Sequence, residues 1–336
     1  MGHWMFGMNA LLGACVGDAA GAVLEFCGGP VTDEMARHAM TMPGGGKLRV
    51  GRGQITDDGE LALTLWRSLE GRGERAGEEK AEAEDMDTLL DRVRMGYANW
   101  YESIPFDMGR TCSLAFEAYY DWKNGDLSKE ECHPLVMEWN SLSEANGALM
   151  RATGIAAFVA SHPEYDVAFG VRLAKEDALL SHPSVVCQEA NQVYVFALLL
   201  LLQGVVPQEV LRQVDTFVAE LVTSEKVRQW YQESVEIAEM DCTRNIGHLR
   251  WGFTLAFYFL RHPAIPYEEA IRMTLRKGGD TDTNAAIVGG MVACWQPIPR
   301  EMREPVVTFD GTKESRASRI RPKEYHVKYV FCEGGS

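Results

Sequence analysis

Acidic residues stand beside hydroxyl residues and glycines at widely separated points of the chain. Thr56-Asp57-Asp58 precedes one helical pattern, and Gly279-Asp280-Thr281-Asp282-Thr283 precedes an Ala-rich one. A third cluster, Gly17-Asp18-Ala19-Ala20-Gly21, is followed by Glu25. Asp and Thr commonly cap helix N-termini, so each cluster taken alone is explained by capping. A cap needs one side-chain oxygen, however, and the second cluster supplies three.

Crowded carboxylates of this kind indicate cation binding, because they repel one another unless positive charge neutralises them. Oxygen ligands without Cys or paired His favour Mg²⁺, Mn²⁺ or Ca²⁺ over zinc. The second cluster also imitates an EF-hand, but Ala285 replaces the required Gly and Met291 the closing Glu. If the clusters meet in space, they could hold two metal ions about 3.5–4 Å apart, which would orient a diol and activate a water.

Composition and charge argue against nucleic acids and membranes as binding partners. The 336 residues are 46% hydrophobic and carry a formal net charge of −15, which disfavours nucleic-acid backbones and anionic membranes. The most apolar run, 193–202, is far shorter than the roughly 20 residues that span a bilayer, and the chain start lacks a signal-peptide pattern. The 8 cysteines are scattered without a CxxC pair. We therefore expect a cytoplasmic protein without membrane or direct nucleic-acid partners.

Helical periodicity dominates the elements that must position these clusters. Leu61, Leu65 and Leu69, for example, fall on one helix face. We expect about a dozen helices in a single all-α domain over 1–300, interrupted by a solvated acidic insertion at 70–87 and followed by a C-terminal extension at 301–336. Besides the helix that opens after Asp58, the predicted helices cover 9–23, 86–102, 111–121, 145–160, 165–180, 208–221, 224–240, 250–261, 268–276 and 283–294, a further apolar face runs from 185 to 201, and two short strands are predicted at 306–309 and 326–331.

Four motifs follow one another along the chain: Gly17-Asp18-x-x-Gly21-x-x-x-Glu25, Thr56-Asp57-Asp58, Asn146-Gly147-x-x-Met150-Arg151 and Gly279-Asp280-Thr281-Asp282-Thr283. Together they resemble the signatures of the ADP-ribosylglycohydrolase family. Two shorter matches accompany them, Asp107-Met108-Gly109 and Ser181-His182-Pro183. The resemblance covers about residues 8–300 and is closest to the bacterial dinitrogenase-reductase-activating branch. One departure is Gly59, where the family usually has Thr or Ser.

The resemblance implies a compact all-α fold with a binuclear metal cleft that holds two Mg²⁺ or Mn²⁺ ions. It implies hydrolysis of the bond between ADP-ribose and a modified side chain, with arginine as our first expectation. The implied metal ligands are Thr56, Asp57, Asp58, Asp280, Asp282 and Thr283. The implied catalytic carboxylates are Glu25 and Asp107. The implied substrate-binding residues are Gly109, Asn146, Gly147, Arg151 and His182.

Several alternatives stay open at this point. Arg151 could meet a phosphate or, because its helix is apolar, pair with an acid inside the protein. His182 could line the cleft or cap a helix. The chain could be a silent ADP-ribose-binding or structural relative, although all the implied metal-ligand positions are filled, or it could hydrolyse another ADP-ribosyl linkage. We expect ADP-ribose or an ADP-ribosylated protein as partner, and a monomer.

Overall fold

The computed structural model describes residues 3–71, 83–313 and 318–331. Residues 72–82 of the expected acidic insertion, and 314–317 and 332–336 of the C-terminal extension, lie outside these ranges. The described residues form α-helices and a single 3₁₀ turn, with no β-strand among them. The chain is therefore all-α, as the periodicity predicts.

Sixteen α-helices follow one another in the described chain. They are α1 (His3–Gly21), α2 (Asp33–Ala39), α3 (Asp57–Glu70), α4 (Met86–Glu102), α5 (Arg110–Asn124), α6 (Lys129–Asn140), α7 (Thr153–Ser161), α8 (Val167–Leu179), α9 (Val185–Leu202), α10 (Pro207–Leu221), α11 (Glu225–Glu233), α12 (Leu249–Arg261), α13 (Tyr267–Leu275), α14 (Thr281–Val292), α15 (Arg300–Thr308) and α16 (Lys328–Phe331), with the 3₁₀ turn at Lys323–Tyr325.

The predicted helices are present, with differences at their ends. The helix predicted at 145–160 begins only at Thr153, because turns around Asn146 precede it. The helix predicted at 224–240 ends at Glu233. The two predicted strands are wrong: 306–308 is the end of α15, and 328–331 forms α16. Short apolar runs do not distinguish strand from helix by periodicity alone.

Helices α1 and α14 pack backbone against backbone. Gly13, Gly17 and Gly21 recur every four residues and so form one stripe along α1. A Cβ on Gly17 would lie 2.0 Å from the Ala285 carbonyl oxygen, and one on Gly21 would lie 2.4 Å from Asp282 Cα. Only glycine permits this approach. The stripe therefore brings the end of α1 against the start of α14, although they are distant in sequence.

Helix α9 lies in the protein core. It is the one helix of the described residues that is long and apolar enough to cross a membrane, and 72% of it is buried inside the protein. It packs against α7, α8 and α10. A helix that is apolar all round is typical of a core position as well as of a membrane span, and here its apolar surface is covered by neighbouring helices.

Candidate active site

Helix α3 is capped from another helix. Thr56 occupies its N-cap position, but the Asp18 carboxylate from α1 accepts the hydrogen bonds of Thr56 N at 2.9 Å and Gly59 N at 2.9 Å. A capped helix N-terminus is therefore present at Thr56, as the capping interpretation predicts. The side chain that caps it is Asp18 and not one of the residues 56–58. Because Asp18 takes this role, Asp57 and Asp58 remain available to the site.

Gly59 makes room for that carboxylate. A Cβ at this position would lie 2.8 Å from Asp18 Oδ2, the oxygen that accepts from Gly59 N, and 3.0 Å from Ile55 Cβ. Contacts under 3.0 Å require something to move. The departure from the family pattern at Gly59 thus lies where the Asp18 carboxylate packs against the first turn of α3.

The three acidic clusters meet in the folded chain. Carboxylate oxygens of Asp18, Asp58 and Asp282 lie within 4.8 Å of one another, and so do those of Glu25, Asp280 and Asp282. Asp282 belongs to both groups, so the two groups adjoin. Asp58 Oδ1 and Glu25 Oε2 are buried, and no residue in the described ranges donates a hydrogen bond to either. Two adjoining sets of hard oxygen donors with unpartnered atoms fit a pair of divalent cations.

Burial and neighbouring carboxylates raise the pKa values of six carboxyl groups in and around the two acidic groups. Burial, with Asp107 next in importance, raises the pKa of Glu25 to about 9. Burial raises the pKa of Asp18 to about 7, against the hydrogen bonds it accepts. Burial and neighbouring carboxylates likewise raise the pKa values of Asp57, Asp58, Asp107 and Asp282. Across the described part of the chain, none of these carboxylates forms an ion pair with Lys, Arg or His. Cations would supply the missing positive charge in exchange for protons.

A cavity of about 350 Å³ opens above the carboxylates. Nine of the predicted site residues line it: Glu25, Asp57, Asp107, Gly109, Asn146, Gly147, His182, Asp280 and Thr283. Thr56, Asp58 and Asp282 are buried next to this lining, and the Thr56 hydroxyl lies 3.1 Å from Asp58 Oδ2. Phe26 and Ile246, 52% and 57% exposed, also contribute to the wall. The cavity therefore combines an acidic floor with partly apolar sides.

The Asn146-Gly147 turn joins the cavity wall to the carboxylates. Asn146 Nδ2 donates to Asp280 Oδ2 at 2.7 Å, and Asn146 N donates to the Gly247 carbonyl at 2.9 Å. A Cβ on Gly147 would lie 2.7 Å from Cys112 Sγ and 3.0 Å from His182 Cε1. Asn146 thus orients Asp280, a candidate metal ligand. The sequence does not predict this contact.

Arg151 lies behind the cavity rather than in it. Its fully buried guanidinium donates to Asp177 Oδ2 at 3.0 Å, to the Gly147 carbonyl at 2.9 Å and to Ser181 Oγ at 2.9 Å. Of the two alternatives for Arg151, the structure shows the internal ion pair, with Asp177. Arg151 does not line the cavity, so direct contact with a phosphate there is not supported.

His182 lines the cavity in a defined protonation state. Ser181 Oγ accepts from Arg151 Nη2 and lies 2.8 Å from His182 Nδ1. A Ser181 hydroxyl that donates to Nδ1 leaves the ring proton on Nε2, which has no hydrogen-bond partner among the described residues. Burial, with the Arg151 charge, lowers the pKa of His182 to about 3, so the ring is a neutral donor.

The family model of ADP-ribosylglycohydrolase matches residues 7–325. The chain belongs to the ADP-ribosylglycohydrolase family. It is 25% identical over 330 residues to a protein of Acanthamoeba polyphaga mimivirus whose name gives ADP-ribosyl glycohydrolase as a provisional activity, covering 91% of this chain and 92% of the relative. It is 32% identical over 157 residues to the ADP-ribosyl-(dinitrogen reductase) glycohydrolase of Rhodospirillum rubrum, covering 46% of this chain and 45% of that one.

A solved structure titled ADP-ribosylglycohydrolase-related protein complex has the same fold. It superposes with a TM-score of 0.67 at 23% identity, over 89% of this chain and 91% of that one. The family hydrolyses ADP-ribose linkages, acts on ADP-ribosylated substrates and is generally metal-dependent, and the acidic clusters could bind metal. Membership therefore supports an ADP-ribosyl glycohydrolase activity for this chain.

Asp18 is the site residue to which sequence reasoning gave no role. It lies in the Gly17-Asp18 motif, and its signal is a carboxylate within an otherwise apolar helix of small residues. A buried charge in such a helix requires partners. In the structure those partners are the first turn of α3 and the shared acidic cluster.

Proposed function

We propose that this chain is a hydrolase that depends on two divalent cations, Mg²⁺ or Mn²⁺, and cleaves the glycosidic bond between ADP-ribose and a modified side chain. Arginine is the first acceptor to test. The observation that carries the proposal is the pair of adjoining acidic groups, joined by Asp282, at the floor of a cavity. The R. rubrum relative, whose name specifies a protein substrate, supports an ADP-ribosylated protein as partner.

The cation-holding residues in this proposal are those of the acidic floor: Thr56, Asp57, Asp58, Asp280, Asp282 and Thr283. Cations bound there would supply positive charge toward the ribose hydroxyls and toward a water. Asn146 fixes the orientation of Asp280 through its 2.7 Å hydrogen bond. Asp18 fixes the first turn of α3 in the same way, so both ligand segments are held by neighbouring residues.

Glu25 and Asp107 handle protons in this proposal. Both line the cavity, with Glu25 buried and Asp107 partly buried. Burial and the Asp107 charge raise the pKa of Glu25. Burial and Asp280 raise the pKa of Asp107, whereas the hydrogen bond from Glu25 lowers it. Two close carboxyl groups hold one proton more readily than none. Such a pair can protonate the departing side-chain nitrogen or oxygen and take a proton from the attacking water.

The opposite wall would bind the diphosphate. Gly109 is the N-cap of α5, and Gly109, Arg110 and Thr111 all line the cavity. A helix N-terminus presents free N–H groups and favours anions. His182 Nε2, which has no hydrogen-bond partner among the described residues, would donate a further hydrogen bond to the diphosphate. The Gly147 turn also lines the cavity.

The test is release of free ADP-ribose from an arginine-linked and a serine-linked peptide, each with Mg²⁺, with Mn²⁺ and with EDTA. We expect release from the arginine-linked peptide that EDTA abolishes. D280N should lose most turnover and metal affinity while keeping the helical circular dichroism signal, whereas D126N, at an exposed position, should behave as wild type. Full activity in D280N would refute the assigned metal site.

The other outcomes distinguish the alternatives. Release from the serine-linked peptide alone would replace arginine as the linkage. Tight ADP-ribose binding without release from either peptide would favour a silent binding protein. We also propose a cytoplasmic location, supported by the seven described cysteines, all of which are free thiols. The monomeric state is a separate proposal.

A further inference from the structure

A buried ion pair joins the C-terminal segment 318–331 to the first turn of α3. Arg321 Nε donates to Glu60 Oε1 at 2.8 Å, and Nη2 donates to Glu60 Oε2 at 2.8 Å. The side chains of Arg321 and Glu60 are 1% and 2% exposed. Ser103 accepts further hydrogen bonds from Arg321 through its carbonyl at 2.9 Å and its hydroxyl at 2.8 Å. Trp100 Nε1 also donates to Glu60 Oε2, at 2.8 Å. All three guanidinium nitrogens and both carboxylate oxygens thus form hydrogen bonds.

The same C-terminal segment also bonds to the chain just before α3. Gln54 Nε2 donates to the Arg319 carbonyl at 2.9 Å, and Arg319 N donates to Gln54 Oε1 at 2.9 Å. Gln54 lies two residues before Thr56, and Glu60 lies two residues after Asp58. The C-terminal segment therefore holds the chain immediately before and immediately after the candidate ligands Thr56–Asp58.

A buried ion pair is not by itself evidence of stabilisation, since apolar replacements often match it. Its placement here is specific: Glu60 and Gln54 bracket the ligand turn, and both bond to one short segment distant in sequence. Backbone hydrogen bonds fix that segment in turn, because Arg321 N donates to the Gly311 carbonyl at 3.1 Å.

We propose that Arg321 is a positioning residue for metal binding: by holding Glu60, it fixes the first turn of α3 so that Asp57 and Asp58 keep their orientation toward the cation site. This inference rests on the proposed metal dependence. It gives the C-terminal segment a part in the active site, although no atom of it lines the cavity in the described structure.

Mn²⁺ binding measured by calorimetry without substrate, well below the melting temperature, tests the proposal. We expect R321M to bind Mn²⁺ about tenfold more weakly, the range seen when outer contacts of metal ligands are lost. R321K keeps the charge but not the fork and should lie between R321M and wild type. V330A, which removes buried side-chain volume in the same segment, should lower the melting temperature and leave Mn²⁺ affinity unchanged.

Three explanations of the role of Arg321 predict different changes in the Mn²⁺ affinity of R321M. Positioning predicts weaker binding in R321M, and loss of one positive charge near the cluster predicts tighter binding. A purely structural role predicts a lower melting temperature with unchanged affinity, as in V330A. Unchanged or tighter Mn²⁺ binding in R321M overturns the inference while the proposed function stands, and R321K decides the question if R321M does not fold. A wild-type chain that binds no Mn²⁺ overturns the proposed metal dependence and this inference together.

Discussion

The metal-free chain should lose stability as pH rises above neutrality, and Glu25 should account for a measurable share of the loss. Burial and then Asp107 raise the pKa of Glu25 from 4.5 to about 9. The folded chain therefore holds a proton that the unfolded chain has released, so stability falls as pH increases between these two values. A divalent cation that displaces the proton should remove this dependence.

The magnitude follows from one retained proton. Each pH unit in this window costs about 1.4 kcal/mol, so the interval from about pH 7 to about pH 8.5 costs about 2 kcal/mol through Glu25 alone. For a chain of this size, 1 kcal/mol corresponds to about 2 °C in melting temperature. We expect a fall of about 4 °C from this group in EDTA, measured by thermal unfolding across the pH series. Excess Mn²⁺ should flatten the series.

E25Q isolates the contribution, because other groups titrate in the same window. Asp18, whose pKa burial raises to about 7, adds a slope of the same sign that fades above about pH 7. The His182 pKa is lowered, so its opposing contribution ends near its unfolded value and lies below this window. Over this pH interval, the melting temperature of E25Q should therefore fall by about 4 °C less than that of the wild type. Equal slopes in wild type and E25Q would show that Glu25 itself retains no proton in this pH interval.

Two further substitutions test the residues around the carboxylates. G59A would place its methyl group 2.8 Å from Asp18 Oδ2, so we expect a loss of about 1–3 kcal/mol in urea unfolding; an unchanged midpoint would show that Asp18 can move freely. S181A removes the hydroxyl between Arg151 and His182, so we expect ADP-ribose to bind about tenfold more weakly, equivalent to about 1.4 kcal/mol. Undiminished affinity would show that the Ser181 hydroxyl does not orient His182 for ligand binding.

Periodicity was sufficient to predict the all-α fold, because apolar residues at helical spacing determine which faces are buried. It failed where tertiary contacts decide the outcome. The turns at 145–152 contain apolar residues that fit a helix, yet Asn146 bonds to Gly247 and Asp280 instead. The segment 326–331 has strand-like composition, but the described residues offer no strand for it to pair with.

The candidate site was predictable as a set of residues and not as a set of contacts. Acids before helices stand out in sequence and identified Asp57 and Asp280, and the family resemblance added Glu25 and Asp107. The cap of α3 by Asp18 and the burial of Arg151 against Asp177 depend on partners 38 and 26 residues away. Single-sequence patterns carry no information about such pairings.

The glycine stripe on α1 explains why two distant acidic clusters share one floor. Helices with ordinary side chains pack with axes about 8–10 Å apart, whereas Gly17 and Gly21 bring α1 within backbone contact of Ala285 and Asp282. This approach places Asp18, one residue after Gly17, within reach of Asp282. A side chain at Gly21 would separate the helices and move the Asp282 shared by both acidic groups. The arrangement of the acidic floor is therefore set by the absence of side chains on α1 as much as by the carboxylates themselves.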